Sequence, residues 1–134
     1  MTRSEILSRA KPILFNTDMV RAILNGRKTV TRRVVKPQPL WFNGRHYCFA
    51  DETCPKKWED CDDIVATYQY QPSDILYVRE TWYQDTGRYM YRADYSDIEK
   101  FYQNGKEVLV HWHPSIHMPK EAARIFLRVT GVRL

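Results

Sequence analysis

Between Arg21 and Lys36 the chain carries six basic residues, Arg21, Arg27, Lys28, Arg32, Arg33 and Lys36, and no acidic one. The net charge of the whole protein is only +5, so this stretch more than accounts for the excess. Guanidinium and ammonium groups at that density are phosphate-binding chemistry. They make charge-assisted hydrogen bonds to anionic oxygens and displace counterions from a nucleic-acid backbone. Arg27, Lys28, Arg32, Arg33 and Lys36 are therefore candidate nucleic-acid-binding residues, and Arg79 joins them from a later strand. The same charge has a plain structural use, because Arg and Lys on an edge strand discourage further strand pairing.

Glu80 is the second candidate. Period-two alternation over 73–82 puts Leu76, Val78, Glu80 and Trp82 on one strand face and Ile75, Tyr77, Arg79 and Thr81 on the other. With the Leu76 and Val78 face inward, Glu80 lies half-buried at the rim, which is costly unless a cation or donor pairs with it. The basic stretch is the expected supplier, so Glu80 should stand within salt-bridge reach of a residue between Lys28 and Arg33.

Other constellations are weaker. His111, His113 and His117 have a spacing that could hold zinc, but Cys48, Cys54 and Cys61 lack the paired spacing of structural zinc sites. No metal and no other cofactor is assigned. Cys48 has only His46 as a nearby base and is not read as a nucleophile. Trp82, Trp112, Tyr77 and Tyr83 could stack on bases at about 1–3 kcal/mol each. For Trp82 and Trp112 a place in the core is the preferred reading.

The basic residues need elements to hold them. Val20, Ile23 and Leu24 repeat at helical spacing, with Thr17 as N-cap and Gly26 as the stop. The β-branched run over 29–35 then predicts a strand, which would fix the cations on a helix-to-strand junction. Upstream, 1–11 is expected to be a loose arm and 12–15 a first strand. Residues 40–72 read as an irregular excursion, with one hairpin between 47–49 and 64–68. Asp85-Thr86-Gly87 turns the chain into a hairpin partner at 88–93. Ser96 and Glu99 read as a capping box opening a short helix that Asn104-Gly105 ends. Residues 111–119 form a proline-bracketed loop, and 124–130 a strand with Ile125, Leu127 and Val129 inward. The class is α+β, mostly β, in a small barrel or barrel-like domain.

At 134 residues the chain is about one domain, 1–134, with room for a single core. No apolar run approaches the roughly 20 residues of a membrane helix, and the N-terminus has no apolar leader, so a cytoplasmic protein with no membrane partner is expected. An odd number of cysteines, three, fits reduced thiols.

These residues also resemble a family. Pro12-Ile13-Leu14-Phe15 with Ile23-Leu24-Asn25-Gly26-Arg27-Lys28-Thr29-Val30-Thr31-Arg32-Arg33 is similar to the opening block of ASCH domains. Asp74-Ile75-Leu76-Tyr77-Val78-Arg79-Glu80-Thr81-Trp82 resembles the second block, with Ser73 where glycine is more usual. Trp112-His113-Pro114-Ser115-Ile116-His117-Met118-Pro119 with Ala123-Arg124-Ile125 is similar to the third block of a subgroup common in phages and prophages. The resemblance implies a PUA-like fold, a small β-barrel with flanking short helices, and RNA or nucleotide binding beside the basic strand.

Some relatives implied by the resemblance are enzymes, either acetylcytidine amidohydrolases or ribonucleases. The amidohydrolase motif carries a catalytic Lys and, three residues on, a Thr, which here fall on Lys28 and Thr31. That family's catalytic Glu follows the final strands. This chain has no matching position before Leu134, so Glu80 is the candidate substitute and a shortened C-terminus is expected. In a continuous strand Lys28 and Thr31 would face opposite ways. They converge only if Lys28 still belongs to the turn after Gly26. Three classes result: an RNA- or nucleotide-binding module, a hydrolase on a modified nucleoside or RNA, and a phage protein-interaction or regulatory module.

Overall fold

The structure, a computed structural model, describes 1–34, Val65 and 68–134 in full, and 41–42, 47–48 and 58–59 by their backbone. It is mixed α+β, with two helices and ten short strands among these residues. They fall into two units, Met1–Val30 with Ile75–Leu127, and Thr31–Asp74 with Arg128–Leu134.

The first unit opens with α1 (Arg3–Arg9), where a loose arm was expected. Thr2 Oγ1 accepts from the Glu5 N–H while the Glu5 carboxylate accepts from the Thr2 N–H, so a full capping box satisfies two donors. Arg3 then anchors the helix, donating to the carbonyls of Glu121 and Ala123 and standing over the Phe126 ring. β1 (Lys11–Leu14) and α2 (Thr17–Leu24) follow as the periodicity predicts. The cap is Asn16 rather than Thr17, its side chain accepting from the Met19 N–H at 2.8 Å. Both residue types cap well, and the chain uses the earlier one.

β1 pairs in parallel with β5 (Ile75–Arg79), Lys11 opposite Leu76 and Ile13 opposite Val78. β5 is the centre of a three-stranded sheet whose other edge is β10 (Phe126–Arg128). Period two assigned β5 one inner face, yet Leu76, Tyr77 and Val78 are all buried. A central strand covered on both sides reads as a continuous apolar run. Tyr77 packs with Ala10, Met118, Ala122 and Ala123, backed by Trp82, Tyr91 and Phe126.

Beyond the sheet, β6 (Trp82–Asp85) and β7 (Arg88–Tyr91) form the expected hairpin. Thr86 and Gly87 both have positive φ, +43° and +83°, as a two-residue turn with the strands' twist requires. A second hairpin, β8 (Phe101–Gln103) and β9 (Lys106–Val108), stands where a helix was expected. Ser96 and Glu99 do bond reciprocally, but they close a single turn. Asn104-Gly105, φ +52° and +78°, is the hairpin turn and not a helix stop. Phe101 settles the matter by packing on Tyr95 and Trp112, 5.0 and 6.1 Å between ring centroids.

In the second unit β2 (Trp41–Phe42), β3 (Tyr47–Cys48) and β4 (Trp58–Glu59) make an antiparallel sheet with β3 central. The expected partner of 47–49 was 64–68; instead β3 lies between β2 and β4, and Val65 is helical. Ile64, Ala66 and Thr67 lie outside the described residues. Gln71 holds this unit's turn, its amide donating to the carbonyls of Val65 and Tyr68. Among the described residues the strands form four separate small sheets and no closed barrel. No helix among them is long and apolar enough to cross a membrane.

Candidate functional site

The end of α2 ties down the backbone of two cationic residues, Arg27 and Lys28. Gly26, at φ +72°, lets the chain reverse while the Gly26 N–H bonds the Ile23 carbonyl and the Arg27 N–H bonds that of Ala22. This is a Schellman closure, and it satisfies carbonyls that the helix would otherwise leave open. The Lys28 N–H also donates to Ala22, at 3.1 Å, so Arg27 and Lys28 are tied by their backbone to the helix C-terminus. Positive charge is favoured there by the helix dipole. Lys28 Nζ turns back over the Phe15 ring, 5.8 Å from its centroid.

A shallow depression of about 520 Å³ opens on this junction, lined by Asp18, Met19 and Ala22 on one side and Arg27, Lys28 and Thr29 on the other. Arg27 and Arg32 are exposed and have no carboxylate partner among the described residues. The expected strand over 29–35 is absent in its described part: 27–34 makes no strand pairing, and Val30 and Val34 stay exposed. Closure onto Ala22 directs the chain away from a sheet register. The first unit ends at Val30, so Thr31, Arg32 and Arg33 belong to the second. Thr31 Oγ1 is buried with no hydrogen-bond partner among the described residues. Lys36 lies outside them.

Glu80 takes a different partner from the one expected. It is 1% exposed, deeper than a rim position. Arg124 grips it with two bonds, Nε to Oε2 at 3.1 Å and Nη2 to Oε1 at 2.9 Å. The third guanidinium nitrogen, Nη1, bonds both oxygens of Asp94 at 2.7 and 2.8 Å. Arg124 also lies 4.1 Å over the Tyr91 ring, whose hydroxyl donates to the Ala122 carbonyl. Burial pushes the Glu80 carboxyl above its ordinary range, and the Arg124 hydrogen bonds pull it partly back. Burial likewise raises the Tyr91 phenol. The last strand is shorter than the expected 124–130, so Arg124 lies two residues before β10, and from there its guanidinium reaches Glu80 at the end of β5. The missed signal was an arginine just ahead of the last strand, available to a carboxylate that needed one.

Arg79 is a brace. Its Nε donates to Met118 and its Nη2 to Ile116, which holds the 111–119 loop against the end of β5. In that loop His113 exchanges backbone hydrogen bonds with Trp82, at 2.7 and 3.2 Å. Trp82 Nε1 donates to the Pro114 carbonyl. His113 is exposed and its ring lies against Trp82 and Tyr83, 4.7 and 5.7 Å between centroids. No cluster of three or more His, Cys, Asp or Glu among the described residues is placed to hold a metal. Cys54 and Cys61 fall outside them.

Compared with protein-family models, curated proteins and solved structures, the chain finds no match.

Proposed function

We propose that this chain is an RNA- or nucleotide-binding domain of the ASCH type, acting in the cytoplasm, with its small sheets arranged on a PUA-like plan. The observation that carries the reading is the closure of Gly26, Arg27 and Lys28 onto α2. It places Arg27 and Lys28 on a tied-down backbone at an open depression that Asp18 also lines, and Arg32 and Arg33 follow a few residues later in the chain. A backbone already closed onto the helix has less freedom to lose when a phosphate arrives than a basic tail, which would have to be ordered throughout.

Titration of a short single-stranded RNA over a range of salt tests this. Contact with about 2–4 phosphates gives log K against log salt a slope of about −1.5 to −3. Replacing Arg27 and Arg32 together with Ala flattens that slope by about 1–1.5 units. Binding insensitive to salt, or unchanged in the double variant, overturns the reading and favours the protein-interaction module.

A second reading, hydrolysis of a modified nucleoside, is favoured by two observations. Lys28 does belong to the turn after Gly26, and the Thr31 hydroxyl is buried without a partner among the described residues, which costs about 1–3 kcal/mol. Glu80 is committed to Arg124, so this chemistry would run on Lys28 and Thr31 without it. Acetylcytidine is the test substrate: turnover lost in both Lys28→Ala and Thr31→Ala supports an enzyme. A folded wild type that leaves acetylcytidine intact rejects that activity.

A further inference from the structure

We infer that His113 and Tyr83 form a stacking shelf for an unpaired nucleobase, separate from the cations that hold the phosphates. The inference rests on the RNA-binding reading and adds the class of group recognised. The two rings are nearly parallel, 11° between planes at 5.7 Å between centroids, which is offset-stacked geometry. Trp82 backs His113 on a tilted contact at 4.7 Å.

The shelf is preorganised. Trp82 and His113 are locked by reciprocal backbone hydrogen bonds, Trp82 Nε1 holds the Pro114 carbonyl, and Arg79 braces the same loop at Ile116 and Met118. A core explains Trp82, which packs against the buried cluster. It does not explain an exposed histidine ring held in register with a tyrosine. His113 is exposed and Tyr83 half-buried, so the stacked pair keeps part of its ring surface toward solvent, on which a base can be placed at little entropic cost.

Position supports the same conclusion. The Phe15 N–H bonds the Arg79 carbonyl, so the Lys28 and Phe15 pair sits at the C-terminal end of β5. Trp82 follows Arg79 by three residues, roughly 10 Å of extended chain. The cationic junction and the ring pair are thus both attached to the C-terminal end of β5, the arrangement a single strand touching both would need.

The test compares a short oligouridylate with an abasic oligomer of the same length and charge, by fluorescence anisotropy. The base-bearing strand should bind wild type more tightly, by about 5–100-fold. His113→Ala and Tyr83→Ala should each shrink that advantage and leave the salt slope unchanged, while His113→Phe, which keeps a ring, should retain it. Thermal melts show whether each variant is folded. Equal binding of the two oligomers to wild type, with a normal salt slope, overturns the shelf and leaves phosphate binding standing. An undiminished advantage in both Ala variants also overturns it. If neither oligomer binds, the RNA reading fails and the shelf with it.

Discussion

Arg124→Met destabilises the protein by about 3–5 kcal/mol, the largest effect expected of any single substitution at a charged residue here. The loss comes from what remains. Glu80 keeps its buried place at the end of β5 with no cation to bond, and Asp94 loses the same partner. Replacing both members, Glu80→Leu with Arg124→Met, removes the orphaned charge and recovers much of the loss, since buried ion pairs are often matched by apolar pairs of similar volume. Chemical denaturation of wild type, both single variants and the double variant measures this as a cycle.

Acidity sharpens the prediction. The folded-state pKa of Glu80 is raised, so its contribution to stability is fully present below the unfolded carboxylate range, near about 4.3, and is lost as pH rises through the folded value. Without Arg124 that pKa rises further, because the lowering influence has gone. The Arg124→Met deficit should therefore be large at neutral pH and shrink in mild acid. A deficit that does not vary with pH would show that lost packing on Tyr91, and not the stranded carboxylate, is responsible.

Phe15→Ala costs about 3–5 kcal/mol by leaving a cavity under the α2 junction, where Phe15 is 2% exposed. The same ring lies beneath Lys28, so Phe15→Leu separates its two roles. Leucine restores most of the apolar volume but offers no π-face, and a cation held on such a face gains about 0.5–1 kcal/mol. Stability should largely return, while on the proposed RNA-binding function affinity for single-stranded RNA stays about 2–5-fold below wild type. Full recovery of affinity would mean that the closure onto Ala22 alone positions Lys28.

Local signals were legible in the sequence. α2, β5 and the β6 to β7 hairpin announce themselves through spacing, apolar run and turn chemistry, each carried by neighbours in the chain. Where two local signals competed, the reading went astray. Ser96 with Glu99 favoured a helix and Asn104-Gly105 favoured a hairpin, and the packing of Phe101 on Trp112 decided between them. The capping box of Thr2 and Glu5 was just as local but sat in a polar stretch with no apolar stripe to draw attention to it. The partner of Glu80 was of another kind. A cation was required, but Arg124 lies 44 residues away, and only the pairing of β10 with β5 brings it near. The basic stretch was legible as charge and not as conformation, because β-branched residues favour a strand only where something covers them.

The parallel pairing of β1 with β5 has a consequence for how the chain is made. The turns and caps of α2 and both hairpins can be sampled as soon as each leaves the ribosome, since their contacts are local, whereas α1 waits for Glu121 and Ala123 to anchor Arg3. The central sheet cannot follow that order. β1 must wait for β5, and β5 must wait again for β10 to cover its other edge and for Arg124 to neutralise Glu80. Until then a nascent chain holds its most apolar strand beside a charged carboxylate that resists burial. Burial of that carboxylate is costly until Arg124 arrives, so the central sheet and the last strand complete one another.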